Sequence, residues 1–175
     1  MKKLAILRHA KSSWAKPGMS DKERPLNARG RQQLVAVTQW MKNNSFEPNK
    51  VLCSPALRTQ QTAEGLSQAI GEAEFELIPP LYNGPIEHYL DALWALSDDT
   101  ECALLIAHNP TCDELARYLT HSDSPAFEKL MKSHFGTAAI AVFDVTVENW
   151  SQLAKATGVL TSMVRPKDIE KGLAV

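Results

Sequence analysis

The 175-residue chain is poor in cysteine, in long apolar runs and in net charge, and each shortage excludes something. Its three cysteines, Cys53, Cys102 and Cys112, are an odd number without metal-type spacing. They therefore read as small apolar residues in a reducing compartment. Met1-Lys2-Lys3 opens like a signal peptide. The apolar run behind it covers only Leu4–Leu7 before Arg8 and His9 interrupt it, too short for a signal core. No other stretch approaches membrane-spanning length, so a cytoplasmic protein without a membrane partner is expected. A formal net charge of -1 argues against broad electrostatic binding to nucleic acid. Repeats, low-complexity segments and linkers are missing too. One domain over residues 1–175 is the expectation, and the length suffices to enclose a core.

What the chain does contain is an alternation of strand-like and helix-like segments. Leu4–Leu7 reads as a strand covered on both faces. Asn27 is placed to cap a helix in which Leu34, Val37, Trp40 and Met41 share a face. Gly30 lies inside that helix's first turns. Val51-Leu52-Cys53 is a second strand, and Ser54-Pro55 then reads as an N-cap with proline at the first position of a helix running to about Ile70. Phe75–Ile78 is a short strand stopped by Pro79-Pro80, and Ile86–Leu96 has helical spacing. Ala103–Ala107 is the clearest buried strand, followed by His108-Asn109-Pro110 and a helix from about Thr111 to Leu119. Ala138–Val145 and Gly158–Val164, joined by a turn near Glu148–Trp150, are expected to pair antiparallel at a sheet edge. The pattern predicts an α/β fold, a three-layer α/β/α sandwich around a mostly parallel sheet.

Ligands of such sheets collect beyond the carboxyl ends of the strands. Three strands here finish on basic or nucleophilic residues: Arg8-His9, Ser54-Pro55 with Arg58 one helical turn on, and His108. If the strands are parallel neighbours, two histidines and two arginines converge. Arginine offers a fixed fork of donors that fits phosphate. A histidine nitrogen serves as nucleophile or as acid and base near neutrality. The candidate ligand is a phosphoryl group with a histidine to accept it. Each residue also has a plainer reading, as a surface charge for Arg8 and Arg58, a structural histidine for His9 and a turn cap for His108.

"LRHAKSSW", "SDKERPLNARGRQQ", "VLCSPALRTQQTAE" and "LLIAHNP" together, in this order, resemble the histidine phosphatase superfamily (phosphoglycerate mutase-like, branch 1). The short chain, "RPLNARG" and "FGTAAIAVFD" are most similar to its SixA-type phosphohistidine phosphatases. The resemblance spans Leu4 to about Val164. It implies that His9 is the nucleophile that becomes phosphohistidine. Arg8 and Arg58 would clamp the phosphoryl oxygens, and His108 would donate to the same oxygens. It implies no metal or cofactor, and a substrate that is a phosphohistidine-bearing protein such as a phosphotransfer domain of a signalling relay. A monomer is expected. Arg24 belongs near the phosphate by the same likeness, or else pairs with Asp21 or Glu23. Ser12 lies on the loop above His9 with Ser13 and Trp14, and Ser12 and Asn109 are further phosphate-site candidates.

Two positions depart from the superfamily pattern. Ala10 replaces its usual glycine, which predicts a negative φ there. The general acid of many relatives has Glu87 as its nearest candidate here, but Glu87 reads first as a first-turn glutamate favoured by the helix dipole. With Glu87 as acid, the chain would be a small-molecule phosphomonoesterase or mutase. A module that recognises phosphate without turnover is the alternative from another class. His88, His121 and His134 read as surface histidines, and Met19–Arg31 as a solvated flap over the pocket.

Overall fold

A computed structural model of the chain describes residues 1–172. Six strands form one sheet in the order β3-β2-β4-β1-β5-β6, with β1 Lys2–Arg8, β2 Lys50–Cys53, β3 Glu74–Leu77, β4 Cys102–Ala107, β5 Ile140–Val145 and β6 Gly158–Val164. The first four strands in that order are parallel. Strands β5 and β6 pair antiparallel at one end of the sheet, as expected. The strand that runs against the rest is β5, one in from the edge, and β6 is the edge itself.

Apolar residues on the two faces of the strands explain the layers. Leu4, Ile6, Leu105 and Phe143 enter one core with Tyr89, Leu115 and Trp150, while Ala5, Leu7, Leu104 and Ile140 enter the other with Leu34, Val37 and Met41. Helices α1 Ala28–Asn43, α2 Leu57–Gly65, α3 Ser67–Ile70, α4 Ile86–Trp94, α5 Thr111–Leu119, α6 Phe127–Lys132 and α7 Pro166–Glu170 complete the fold. Each fully buried Leu or Ile contributes about 1.5–3 kcal/mol. Two such cores can therefore offset the several kcal/mol that a buried charge costs at the site.

Asn27 caps α1 as read from sequence, its Oδ1 accepting from the Gly30 amide at 2.9 Å. Gly30 is required there by close approach, because a Cβ would stand 2.1 Å from the Lys11 carbonyl oxygen. The helix after β2 differs from expectation. Ala56, not Ser54, takes its N-cap position, and the helix yields at Leu66 to the separate turn α3. Leu57, the first residue of that helix, is 36% exposed. The reason is that Ser54 is drawn to a different partner, and the chain bends before the helix begins.

Candidate active site

Strand register is what brings the site together. Arg8 pairs with Ala107 across β1 and β4, and Cys53 with Ile106 across β2 and β4. The ladder continues one residue further, with the His9 amide donating to the Ala107 carbonyl and the Ser54 amide to that of Ile106, both at 3.0 Å. His9, Ser54 and His108 therefore leave three adjacent strands side by side. The rings of His9 and His108 lie 5.2 Å apart, and both residues are buried.

Arg58, 3% exposed, reaches between the two rings. Its Nε donates to His9 Nε2 at 3.3 Å and its Nη2 lies 3.3 Å from His108 Nδ1. The guanidinium has no lone pair to offer, so each of these ring nitrogens is an acceptor. On His9 the remaining nitrogen, Nδ1, is 2.8 Å from the Ala10 carbonyl oxygen and donates to it. That fixes the tautomer and leaves the lone pair on Nε2, facing the pocket. Ala10 lies outside the positive-φ residues, as expected for alanine, and its amide donates to Thr62 Oγ1.

On His108 the same logic puts the ring proton on Nε2, which donates to Ser54 Oγ at 2.7 Å. Burial pushes the His9 pKa down to about 4; the Ala10 carbonyl opposes this, and Arg58, Arg8 and Arg24 add to it. Burial, then the proximity of His9 and Arg58, pushes His108 down to about 3. Both rings are neutral at physiological pH. For His108 to donate from Nδ1 to an oxyanion in the pocket, its proton must change nitrogen, and the Ser54 hydroxyl must reverse to donate to Nε2. Ser54→Ala removes that reversal and is expected to lower kcat about 10- to 100-fold with little change in KM. Ser54→Thr keeps the hydroxyl and should retain most of the activity. Steady-state kinetics on both variants checks this.

Arg8 approaches from β1, its Nη1 donating to the Phe135 carbonyl at 3.1 Å while its Nε is buried without a partner among the described residues. Burial holds its pKa below the ordinary value. Asn109 Nδ2 donates to the same Phe135 carbonyl at 2.8 Å, so Arg8 and Asn109 share an anchor on the loop before β5.

Sequence reasoning missed two residues here. Asp21, in a short 3-10 turn Asp21–Glu23 of the flap, accepts from Arg58 Nη2 at 3.0 Å, from Arg24 Nε at 2.9 Å and from the Tyr82 hydroxyl at 2.9 Å. Its backbone carbonyl accepts from Arg58 Nη1 at 2.7 Å. Burial pushes the Asp21 carboxyl up, but Tyr82 and Arg58 outweigh it and hold the pKa below the usual carboxylate value. The ring of Tyr82 meets that of His108 edge-on at 5.7 Å. Arg24 thus forms the ion pair with Asp21, beside Arg58.

The other candidates are less central. Ser12 bridges to Leu26 through the backbone at the base of the flap. Glu87 is exposed in the first turn of α4. His88, His121 and His134 are exposed, as read. Among the described residues no group of three His, Cys, Asp or Glu side chains is arranged to hold a metal ion. Among the described residues no helix is long and apolar enough to cross a membrane.

Known proteins resemble this chain in sequence and in fold. The family model of the histidine phosphatase superfamily (branch 1) matches residues 4–83. The phosphohistidine phosphatase SixA of Escherichia coli K12 is 30% identical over 141 residues, covering 78% of this chain and 81% of that protein. An uncharacterized protein of Mycobacterium leprae is 29% identical over 166 residues, 92% of this chain and all of the relative. Among solved structures, a protein from Nakamurella multipartitia provisionally assigned as phosphohistidine phosphatase SixA superimposes with a TM-score of 0.83 at 27% identity, over 94% of this chain and 96% of that one. The protein histidine phosphatase SixA complexed with tungstate gives 0.75 at 25% identity, over 95% and 99%. By these similarities in sequence and in fold the chain belongs to the histidine phosphatase superfamily, branch 1, and is a SixA-like phosphatase.

Proposed function

We propose that this phosphatase hydrolyses phosphohistidine on a protein, with His9 as the covalent nucleophile. The observation that carries the reading is the His9 ring itself, whose Nδ1 is tied to the Ala10 carbonyl so that the Nε2 lone pair faces the pocket beside Arg58. Nε2 attacks phosphorus, and the bond from phosphorus to the substrate's ring nitrogen breaks. The electron pair leaves on that imidazole, whose other ring nitrogen already carries a proton taken from water, so that a neutral ring departs. Water then attacks phosphorus, the P–Nε2 bond breaks, and phosphate and free His9 are restored. Arg8, Arg58 and His108 stabilise the charge on the equatorial oxygens in both steps, electrostatic help that is preorganised by burial.

The choice of leaving group follows from proton supply. The carboxylate bonded to Arg58 is Asp21, and it is held ionised, so near neutrality it accepts protons rather than donating them. An alkoxide leaving group would need a general acid, typically worth about 100- to 10,000-fold. A phosphohistidine ring takes that proton from water on its other nitrogen, whose ordinary pKa is about 6.5, and so departs as neutral imidazole without a dedicated acid. A similar structure complexed with tungstate, a phosphate-like oxyanion, supports the same use of the pocket. Three buried thiols, with burial holding Cys53 and Cys102 up to about 12, fit a reducing cytoplasm.

The test is a substrate panel with wild type and Glu87→Gln. Phosphohistidine peptides should turn over at least about 100-fold faster than an alkyl phosphate ester, with Glu87→Gln within twofold of wild type on both. Preference for the ester, abolished by Glu87→Gln, would overturn the reading in favour of a small-molecule phosphomonoesterase. Binding without turnover of any donor would leave a recognition module.

A further inference from the structure

Charge is distributed unevenly along this nearly neutral chain. Residues 1–31 hold nine Lys and Arg against two Asp and Glu, while the rest hold ten against eighteen. Lys2 and Lys3 lie at the far end of β1 from the site. Arg8 follows at the carboxyl end of β1, and Lys22 and Arg24 stand beside the pocket through Tyr82 and Asp21.

The flap is arranged so that its two acids are spent and its lysine is not. Asp21 is taken up by Arg58, Arg24 and Tyr82, and Glu23 accepts from the Ser20 hydroxyl at 2.6 Å and the Ser20 amide at 3.1 Å. Lys11, Lys16 and Lys22 are exposed and form no ion pair among the described residues. Lys22 Nζ sits 5.8 Å from the ring centre of Tyr82, which itself touches His108. Beside them Trp14 is 59% exposed and stacks on the Arg24 guanidinium at 5.1 Å. Trp and Arg are the side chains that most often anchor protein interfaces. Arg29, exposed on the first turn of α1, leads into a cavity of about 180 Å³ lined also by His134, Arg165 and Lys167.

We propose that Lys11, Lys16, Lys22 and Arg29, with Trp14 as an aromatic anchor, form a docking face for an acidic protein surface that carries the phosphorylated side chain. The proposal rests on the functional reading above and adds the character of the partner. A phosphoryl group alone is served by Arg8 and Arg58 inside the pocket. Unpaired cations outside it, next to an exposed indole, are of use only to a substrate that extends beyond the phosphoryl group. Such a face raises the association rate through long-range attraction, an effect that fades as salt shortens the screening length.

The test uses three probes: free phosphohistidine, and two peptides of equal length with a central phosphohistidine, one flanked by Asp and Glu and the other by Lys. At low ionic strength the acid-flanked peptide should give a kcat/KM at least about tenfold above the lysine-flanked one. The two should converge at an ionic strength of about 0.3 M, where the screening length falls to several ångströms. Lys16→Glu/Lys22→Glu should cancel or reverse the preference while leaving free phosphohistidine within twofold. Trp14→Ala should raise KM for both peptides and leave the free amino acid unchanged. Equal turnover of the two peptides at low salt would overturn the docking face, as would an equal loss on all three probes in the double variant. Tighter binding of a single-stranded oligonucleotide than of the acid-flanked peptide, measured by fluorescence anisotropy, would overturn it as well. Absence of turnover with free phosphohistidine would overturn the functional reading instead, and peptide anisotropy would then still judge the docking face by itself.

Discussion

Replacing His9 with alanine should lower kcat/KM at least about 10,000-fold, because removing a covalent nucleophile deletes the first step instead of weakening it. Oxyanion binding should survive within about tenfold, since Arg8 and Arg58 remain. That split between lost turnover and kept binding separates a nucleophile from a residue that merely shapes the pocket. The pH profile adds a second check. A neutral ring is the nucleophilic form, and burial with the flanking arginines holds His9 near 4. A histidine with its ordinary pKa of about 6.5 would lose its lone pair to protonation just below neutrality. Here the neutral form persists until the pH falls toward 4, so no activity loss assignable to His9 should occur between pH 6.5 and 5. Single-turnover measurement of phosphoenzyme formation against pH reads this step directly.

Arg58→Lys should cost about 100- to 1,000-fold in kcat/KM even though charge is conserved. One guanidinium reaches His9 Nε2, His108 Nδ1 and both the backbone and the carboxylate of Asp21. A lysine ammonium is a single point with three donors on a flexible stem and cannot span those directions together. Each oxyanion donor removed from such a site costs about 100- to 1,000-fold. Inhibition by tungstate should weaken in parallel, whereas a structural defect would instead lower the melting temperature. Partial rescue of Arg58→Ala by added guanidinium would locate the effect at the pocket.

The parts of this site that were legible in sequence are those set by local rules. Apolar runs ending at Arg8-His9 and at His108 identify strands whose carboxyl ends meet, and parallel neighbours in register deliver the convergence. Asn27 was legible as a cap because a short polar side chain before an apolar-periodic run has few other uses there. What was illegible depends on partners distant in the chain. Asp21 meets Arg58 across 37 residues and Tyr82 across 61, and "SDKE" alone gives no sign that its aspartate turns inward. Ser54 offered two local roles, and the sequence favoured the cap that its neighbour Pro55 suggests. A histidine from another strand, 54 residues away, claimed the hydroxyl instead. Gly65 is a similar case, since a Cβ there would stand 2.4 Å from Leu34 Cδ1, a contact between α1 and α2 that no local pattern announces.

The phosphoenzyme tests the central claim most directly. After brief exposure to a phosphohistidine peptide and an alkaline quench, phosphorus NMR and peptide mass spectrometry of the trapped protein identify both the residue and the ring nitrogen modified. The geometry predicts acid-labile phosphate on Nε2 of His9, because Nδ1 is held by the Ala10 carbonyl 2.8 Å away. Phosphate on Nδ1, phosphate on another residue, or turnover with no trapped phosphoenzyme would contradict it.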